Sequence, residues 1–329
     1  MTLPQSGRPA FLRGRGRLIA GIAAAVAGVL VAGYAVWSQP QATAKDKARV
    51  TPVREIVPAT RDNYLGVYEA DAPDSYTQVD QFAQMAGRQP NLVLYYNAWG
   101  QPFQTSFARM ALAHDATVID DLQPMDVPLT SIVNGEDDPY LASYASQVKS
   151  FGHPVILAFG PEMNGNWYSW GWTQQPAQLF VQAWRHLVSV FRELHVTNVT
   201  WLWTVNGIGA STGPIGDYWP GAAYVDWVGI DSYYYVKTDT FDTVFGPTIA
   251  QVRKYGKPIL ISETGVGQVA GQAQKIPGLL QGVKDSGVLG FVWFDVSQDQ
   301  GLYHQDWRLE GQSSAVGAEF RNDLQTYLK

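Results

Sequence analysis

Short apolar segments recur along this chain after Arg61, and longer segments of helical character separate them. Each is rich in β-branched or aromatic residues and ends in polar residues; in chain order they read NYLGVYEA, NLVLYYNAW, ATVIDDLQP, PVILAFGPE, VTWLWTVN, VDWVGIDSYY, PILISETG and GVLGFVWFDV. Nearly continuous hydrophobicity, rather than strict alternation, is expected of parallel strands that are buried on both faces. The pattern therefore predicts a parallel sheet covered by helices on both faces or closed on itself.

The number of these segments decides between two α/β architectures. Eight strands with intervening helices over about 270 residues are typical of a (β/α)8 or TIM barrel. An open, doubly wound sheet usually has fewer strands, and no Gly-rich phosphate loop follows the first apolar segment. We therefore predict a TIM barrel over residues 61–329, preceded by an N-terminal transmembrane or signal helix.

The N-terminal region predicts export. Residues 1–17 are rich in arginine and residues 18–37 are uncharged and mostly apolar, as in an export signal or a membrane anchor whose basic end stays in the cytoplasm. About twenty such residues suffice to cross a bilayer. Residues 38–60, rich in Pro, Ala, Thr and charge, are predicted to be a linker. We expect a single-pass protein of the cell membrane with the barrel outside, or a secreted protein if cleavage follows Ala44.

Composition and charge exclude several classes of function. The net charge is −6, and no long basic tract follows the N-terminus, which argues against a nucleic-acid partner. The chain has no cysteine, so disulfides, thiolate catalysis and cysteine metal sites are excluded. Its 5 histidines form no HxH or HExxH pattern, and we expect no metal and no cofactor.

Two glutamates end apolar segments at positions that a barrel would bring together. Glu162, in GPEMNGNWYSWGW, ends the fourth segment, and Glu263, in ISETG, ends the seventh. They are about a hundred residues apart, and three βα units of roughly 31 residues each predict about 94. Two carboxyl groups across a cleft suit glycoside hydrolysis, in which one is the acid and the other the nucleophile or the base. Taken singly, each could equally be a helix cap or half of an ion pair.

Further polar and aromatic residues follow other predicted strands. Trp99, after the second segment, is a candidate for stacking on a sugar, and Asn206, at the end of the fifth, is a candidate to point into the cleft. Asp120 and Asp121, in the third segment, could bind sugar hydroxyls or cap the next turn. We expect these residues to lie at the carboxyl ends of the strands, where TIM barrels carry their active sites.

Three segments together resemble a known family of enzymes. PVILAFGPEMNGNWYSWG resembles the acid/base segment of glycoside hydrolase family 26, and VDWVGIDSYY and KPILISETG are similar to its sixth-strand and nucleophile segments. The likeness runs in order over most of residues 63–329. That family consists of retaining (β/α)8 enzymes, mainly endo-β-1,4-mannanases with some β-1,3-1,4-glucanases and xylanases.

The resemblance implies a role for particular residues. Glu162 would be the general acid/base and Glu263 the nucleophile. The surroundings agree with these roles. Ser262 and Thr264 can donate hydrogen bonds that stabilise an ionised Glu263, whereas Met163 gives Glu162 an apolar neighbour, which favours the protonated form that an acid needs. The implied substrate contacts are Trp167 beside the sugar, Asp231 and Tyr233 as a polar pair with the Tyr hydroxyl near the nucleophile, and Trp293 as an aromatic floor.

One departure from the family pattern affects the expected substrate. The family usually has His immediately before the acid/base, and this chain has Pro161 there. Because of this departure, the sequence supports a glycanase more strongly than it supports mannan as the substrate.

The expected function is that of an exported, membrane-anchored, retaining endo-β-glycanase acting on a β-1,4-linked polysaccharide, with mannan first and mixed-linkage β-glucan next. Two alternatives are a weak or inactive carbohydrate-binding barrel and a trimming or transglycosylating enzyme of exopolysaccharide production. We expect a monomer whose partners are the polysaccharide and, through the N-terminal helix, the membrane.

Overall fold

The computed structural model of the protein describes residues 54, 56–61, 63–298, 305–309 and 314–327. The strands are β1 (Tyr64–Tyr68), β2 (Leu92–Ala98), β3 (Thr117–Gln123), β4 (Val155–Phe159), β5 (Val199–Asn206), β6 (Trp227–Asp231), β7 (Ile259–Thr264) and β8 (Gly290–Phe294). The α-helices are α1 (Thr77–Ala86), α2 (Thr105–Ala113), α3 (Leu129–Val133), α4 (Asp138–Phe151), α5 (Ala177–Glu193), α6 (Phe241–Val244), α7 (Gly246–Val252), α8 (Gln272–Ser286) and α9 (Ser314–Tyr327).

The strands form a closed parallel barrel. Each strand pairs with the next one in the chain, and β8 pairs with β1 to complete the ring. The predicted (β/α)8 fold is therefore confirmed. The basic segment and the apolar segment predicted at residues 1–17 and 18–37 lie outside the described residues. Among the residues that the structure does describe, no helix is long and apolar enough to span a bilayer.

Alternating side chains of each strand fill two apolar layers. In β5, for example, Leu202 packs inside the barrel while Trp201 and Trp203 pack between the barrel and the helices. Both faces of a strand are thus buried, which is why the strands read as continuous apolar runs. Because the period is two residues, the register of each strand decides which of its polar residues point into the barrel.

This alternation corrects the prediction for Trp293. Its neighbours Val292 and Phe294 point into the barrel, so Trp293 points outward. Its ring packs against Phe320 of α9 with centroids 5.3 Å apart, and its indole N–H donates to the carbonyl of Trp307 at 3.0 Å. Trp293 is fully buried in the layer between barrel and helix, so it is not the floor of a sugar site.

Residues before β1 close the amino-terminal end of the barrel. The Arg54 guanidinium binds both carboxylate oxygens of Asp226, at 2.8 and 2.6 Å, just before β6. Val57 is buried in the inner layer, and its N–H donates to Thr200 Oγ1 at 2.9 Å. The predicted linker boundary at residue 60 is therefore too late, because the apolar side chain of Val57 packs with the barrel core.

A register shift in β7 places two polar residues near the mouth of the barrel. Gly229 pairs with Leu260 and Asp231 pairs with Glu263, so two residue steps on β6 oppose three on β7. The same extra step on β7 appears against β8. An extra residue in one strand redirects the side chains that follow it, and such bulges are common beside active sites. Here the hydroxyl of Ser262 donates to Asp231, while Glu263 accepts from Tyr96 of β2 and from Tyr233 after β6.

Candidate active site

The carboxyl ends of β4 and β7 carry the two predicted glutamates. Glu162 is 2% exposed and Glu263 is 4% exposed. Glu162 has a φ of 53°, in the left-handed region that few residues other than glycine adopt. Its N–H donates to the carbonyl of Thr204 on β5 at 3.1 Å. Neighbouring structure thus holds a strained backbone in place, as is typical of functional sites.

Two N–H donors from different elements hold the Glu162 carboxyl group. The Trp167 indole N–H donates to its Oε2 at 2.9 Å, and the Asn206 amide donates to its Oε1 at 2.5 Å. Trp167, in the loop after β4, and Asn206, the last residue of β5, therefore both lie beside Glu162. The carboxyl group is fixed from both sides and cannot rotate without breaking one of these bonds.

The segment after Glu162 supplies the scaffold for these contacts, and sequence reasoning gave two of its residues no role. Asn164 is fully buried; its amide donates to the carbonyl of Asn206, and its Oδ1 accepts the N–H of Asn206, both at 2.8 Å. A Cβ at Gly165 would lie 2.3 Å from the Trp167 ring, so glycine leaves room for that indole. The Asn-Gly of the EMNG motif thus positions both donors to Glu162.

Two tyrosine hydroxyls hold the Glu263 carboxylate. Tyr233, after β6, donates to Oε2 at 2.5 Å, and Tyr96 of β2 donates to Oε1. Burial, followed by the charge of Glu263, raises the pKa of Tyr96 well above its ordinary value, so this phenol stays a donor. Tyr96 was missed in the sequence because its contact crosses the barrel; the only available signal was its place near the end of an apolar run.

Loss of either hydroxyl is expected to weaken the site. A hydrogen bond to a charged group contributes about 1.5–3 kcal/mol, which corresponds to roughly a 10- to 150-fold change in rate. We expect Tyr96→Phe and Tyr233→Phe each to lower kcat/KM for the polysaccharide cleavage predicted from the sequence by a factor in that range. The matched control is Tyr234→Phe, because Tyr234 packs in the outer layer. An unchanged kcat/KM in both site variants would show that the two contacts do not support the reaction.

Asp231 lies on the inner face of β6 and is paired in register with Glu263 of β7. It is 1% exposed and accepts the Ser262 hydroxyl at 2.6 Å, while its Oδ2 has no hydrogen-bond partner among the described residues. Burial, then the charges of Glu263 and Glu162, raise the pKa of Asp231 well above the ordinary range. Asp231 is therefore a buried acid next to the two glutamates.

Two tryptophans frame the strand ends. Trp99 is half-buried after β2; its indole N–H donates to Asp137 at 3.2 Å and its ring lies 4.9 Å from that of Tyr140. Trp307, to which sequence reasoning assigned no role, packs against Tyr233 at 4.9 Å between ring centroids. It could not be identified from the sequence because it does not directly follow any predicted strand. Trp307 thus packs against Tyr233, whose hydroxyl donates to Glu263.

The paired aspartates of β3 point in opposite directions. Asp120 faces the helices, where it accepts the hydroxyl of Tyr144 on α4, whose oxygen in turn accepts the Asn97 amide at 2.8 Å. Asp121 faces the barrel interior. Neither carboxylate caps the following turn, so that alternative from the sequence is excluded.

The ionisation of Asp120 should make the stability of the protein depend on pH. Burial raises the pKa of Asp120 to about 7, although the hydrogen bond from Tyr144 acts in the opposite direction. Because the pKa in the unfolded chain is about 3.9, the folded state binds the proton more tightly between these values. The contribution of Asp120 to the free energy of unfolding should therefore fall as pH rises from about 4 to 7, by up to about 4 kcal/mol.

Denaturant unfolding of the wild-type chain and of Asp120→Asn at several pH values isolates this effect. The free energy of unfolding of the wild type, relative to the variant, should decline through that window and level off above pH of about 7. Parallel curves for the two proteins would contradict the assignment. Other buried acids titrate in both proteins, so they cancel in the difference.

Among the described residues, no group of three or more His, Asp or Glu is arranged to hold a metal ion. The two glutamates lie at one end of the barrel, and two donors among the described residues bind each carboxyl group.

Known proteins resemble the chain in sequence and in fold. Endoglucanase H of Acetivibrio thermocellus is 27% identical over 272 residues, which are 77% of this chain and 29% of that protein. Mannan endo-1,4-beta-mannosidase A and B of Caldalkalibacillus mannanilyticus is 34% identical over 89 residues, 24% of this chain and 17% of that protein. The chain thus spans less than a third of the length of either relative.

Solved structures share the barrel. The Bacillus subtilis mannanase man26 has a TM-score of 0.59 at 15% identity, covering 79% of this chain and 85% of that one. The β-mannanase BoMan26A of Bacteroides ovatus has a TM-score of 0.61 at 14% identity, covering 80% and 88%. The sequence profile described as "Glycosyl hydrolase family 26" matches residues 94–315, which is more than half of the chain. The chain therefore belongs to glycosyl hydrolase family 26.

Proposed function

We propose that the protein is a retaining endo-β-glycanase in which Glu263 is the nucleophile and Glu162 the general acid/base. The observation that carries the proposal is the pair of buried glutamates at the carboxyl ends of β4 and β7, each held by two hydrogen-bond donors. Glycoside hydrolysis uses two carboxyl groups that flank the scissile bond, and membership of family 26 supports the retaining, double-displacement form.

The reaction proceeds in two steps. In the first, a Glu263 oxygen attacks the anomeric carbon while Glu162 gives its proton to the departing glycosidic oxygen. In the second, Glu162 takes a proton from water, whose oxygen attacks the same carbon and displaces Glu263. Trp167 and Asn206 keep the Glu162 carboxyl group in place through both steps. The Tyr96 and Tyr233 hydroxyls stabilise Glu263 as a carboxylate before attack and after release.

The proposed substrate is a β-1,4-linked mannan. Relatives named as mannan endo-1,4-beta-mannosidases and mannanase structures support this choice. A second candidate is mixed-linkage β-glucan, which is favoured by a specific observation: the relative aligned over 77% of the chain is an endoglucanase, whereas the match to mannosidase A and B covers 24%.

Cleavage of purified polysaccharides by the full-length protein tests the proposal. Mannan, mixed-linkage β-glucan and xylan would be incubated with the wild type and with Glu263→Ala, and the first-formed anomer would be followed by proton NMR. Release of a β-anomer from one polymer, absent in the variant, is expected. Binding of a polymer without cleavage would instead favour a carbohydrate-binding barrel, and an α-anomer would exclude retention.

We also propose that the protein acts outside the cytoplasm, attached to the membrane by residues 18–37. The basic segment followed by about twenty apolar residues supports this. Fractionation of cells, with mass determination of the protein found in each fraction, tests it. An intact chain in the membrane fraction is expected, a chain beginning at residue 45 in the medium would indicate cleavage after Ala44, and an intact chain in the cytosol would contradict export.

A further inference from the structure

Asp121 is a buried carboxyl group that the proposed mechanism does not use. It lies on the inner face of β3, paired in register with Tyr96 of β2 and Ala158 of β4, and it is 3% exposed. Burial, then the charges of Glu263, Asp120 and Glu162, raise its pKa well above the ordinary range. Asp121 is therefore close enough to both glutamates for its charge to matter to them.

One oxygen of the Asp121 carboxyl group has no partner within the part of the chain that the structure describes. Its Oδ1 is buried without a hydrogen bond, and no ion pair between described residues includes it. The adjacent hydroxyl, that of Tyr96, donates to Glu263 instead. A buried polar atom without a partner costs about 1–3 kcal/mol, so such atoms in folded proteins call for an explanation.

The charges around Asp121 determine its ionisation state. The titratable groups near it are Tyr96 of β2, Glu162 after β4, Asp231 of β6 and Glu263 of β7, with Asp120 on the opposite face of its own strand. All of them are acids, and none supplies a positive charge. A further carboxylate in this position would be repelled by its neighbours and poorly solvated, so the protonated form is favoured.

We propose that Asp121 is a substrate-binding residue, an uncharged acid whose O–H donates a hydrogen bond to an oxygen of the sugar held between Glu162 and Glu263. This inference rests on the proposed glycanase function. The ligand it fits is a neutral sugar, because a ligand with its own carboxylate would add to the negative charge of the cleft. Ring and hydroxyl oxygens of a neutral sugar accept such a bond and satisfy the orphaned group.

If Asp121 acts as an uncharged donor, its variants should differ in oligosaccharide affinity according to whether they keep a donor. Asparagine is nearly isosteric and keeps N–H donors, whereas leucine has the same branching, is larger and has no donor. In a Glu162→Gln background, which retains the charge of Glu263, calorimetry with manno- and gluco-oligosaccharides measures binding without turnover. We expect Asp121→Asn to change the Kd of the bound oligosaccharide by less than about threefold and Asp121→Leu to raise it by at least about tenfold. Asp126→Asn is the control, since Asp126 is exposed in the following loop.

The ionisation state is measured separately by carbon NMR of side-chain carboxyl groups. The signal that disappears in Asp121→Asn should titrate well above the usual aspartate pKa of about 3.9. A normal titration, or binding that Asp121→Leu leaves unchanged, would overturn the inference while cleavage assays could still support the glycanase. Absence of both oligosaccharide binding and polysaccharide cleavage would overturn the two proposals together.

Discussion

Replacing Glu263 with alanine is expected to lower the rate of polysaccharide hydrolysis by about 10⁴-fold or more, because no covalent intermediate can then form. Neighbouring carboxyl groups cannot substitute for it. Asp231 is bound to Ser262 in the barrel interior, and burial raises its pKa so that it is a poor nucleophile. The measurement is the initial rate of reducing-end release, with thermal unfolding to show that the variant is folded.

Two further observations sharpen the test of Glu263. Added azide should attack the anomeric carbon directly in the Glu263→Ala protein and give a glycosyl azide of inverted configuration, since a single displacement replaces two. The matched control is Glu193→Ala, an exposed glutamate at the end of α5, which should retain full activity. A Glu263→Ala protein with more than a few per cent of wild-type activity would rule out the nucleophile role.

Replacing Glu162 with alanine should produce an effect that depends on the leaving group. General acid–base catalysis contributes about 10²–10⁴-fold, and we expect a loss of that size on polysaccharide. On a dinitrophenyl glycoside the first step should be nearly unaffected, because the phenolate departs without a proton. Azide should then yield a product of retained configuration, since it attacks the intermediate on Glu263.

Comparison of kcat/KM on the two substrates is the measurement for Glu162. Equal losses on polysaccharide and on the activated glycoside would mean that Glu162 acts through binding or folding rather than through proton transfer. The variant Glu162→Gln separates these cases further, because it keeps the hydrogen-bonding capacity toward Asn206 but has no acidic proton.

The fold could be predicted because both faces of the strands are mostly apolar. A barrel strand covered by helices needs no alternation, so the apolar runs themselves reveal strand number and order. The spacing of Glu162 and Glu263 then follows from the length of a βα unit. These features depend on local sequence and on chain length, which a single sequence contains.

Register across the barrel could not be predicted in the same way. Tyr96 and Glu263 are 167 residues apart, and nothing local says that they meet. The prediction for Trp293 was wrong because a shift of one residue exchanges the two faces of a strand. The extra residue in β7 and the left-handed backbone of Glu162 likewise depend on the neighbouring strands. Each of these is a tertiary property.

The closure of the barrel by Arg54 and Val57 has a practical consequence for handling this protein. The polypeptide joins the barrel at the end opposite Glu162 and Glu263, roughly 15–20 Å away along strands such as β4 and β7, which have 5 and 6 residues. A bead, a fluorophore or a fusion partner attached directly at Arg54 would therefore lie on the side of the barrel opposite the two glutamates. Protein bound to a surface through that point would present the end of the barrel that carries Glu162 and Glu263 to the solution.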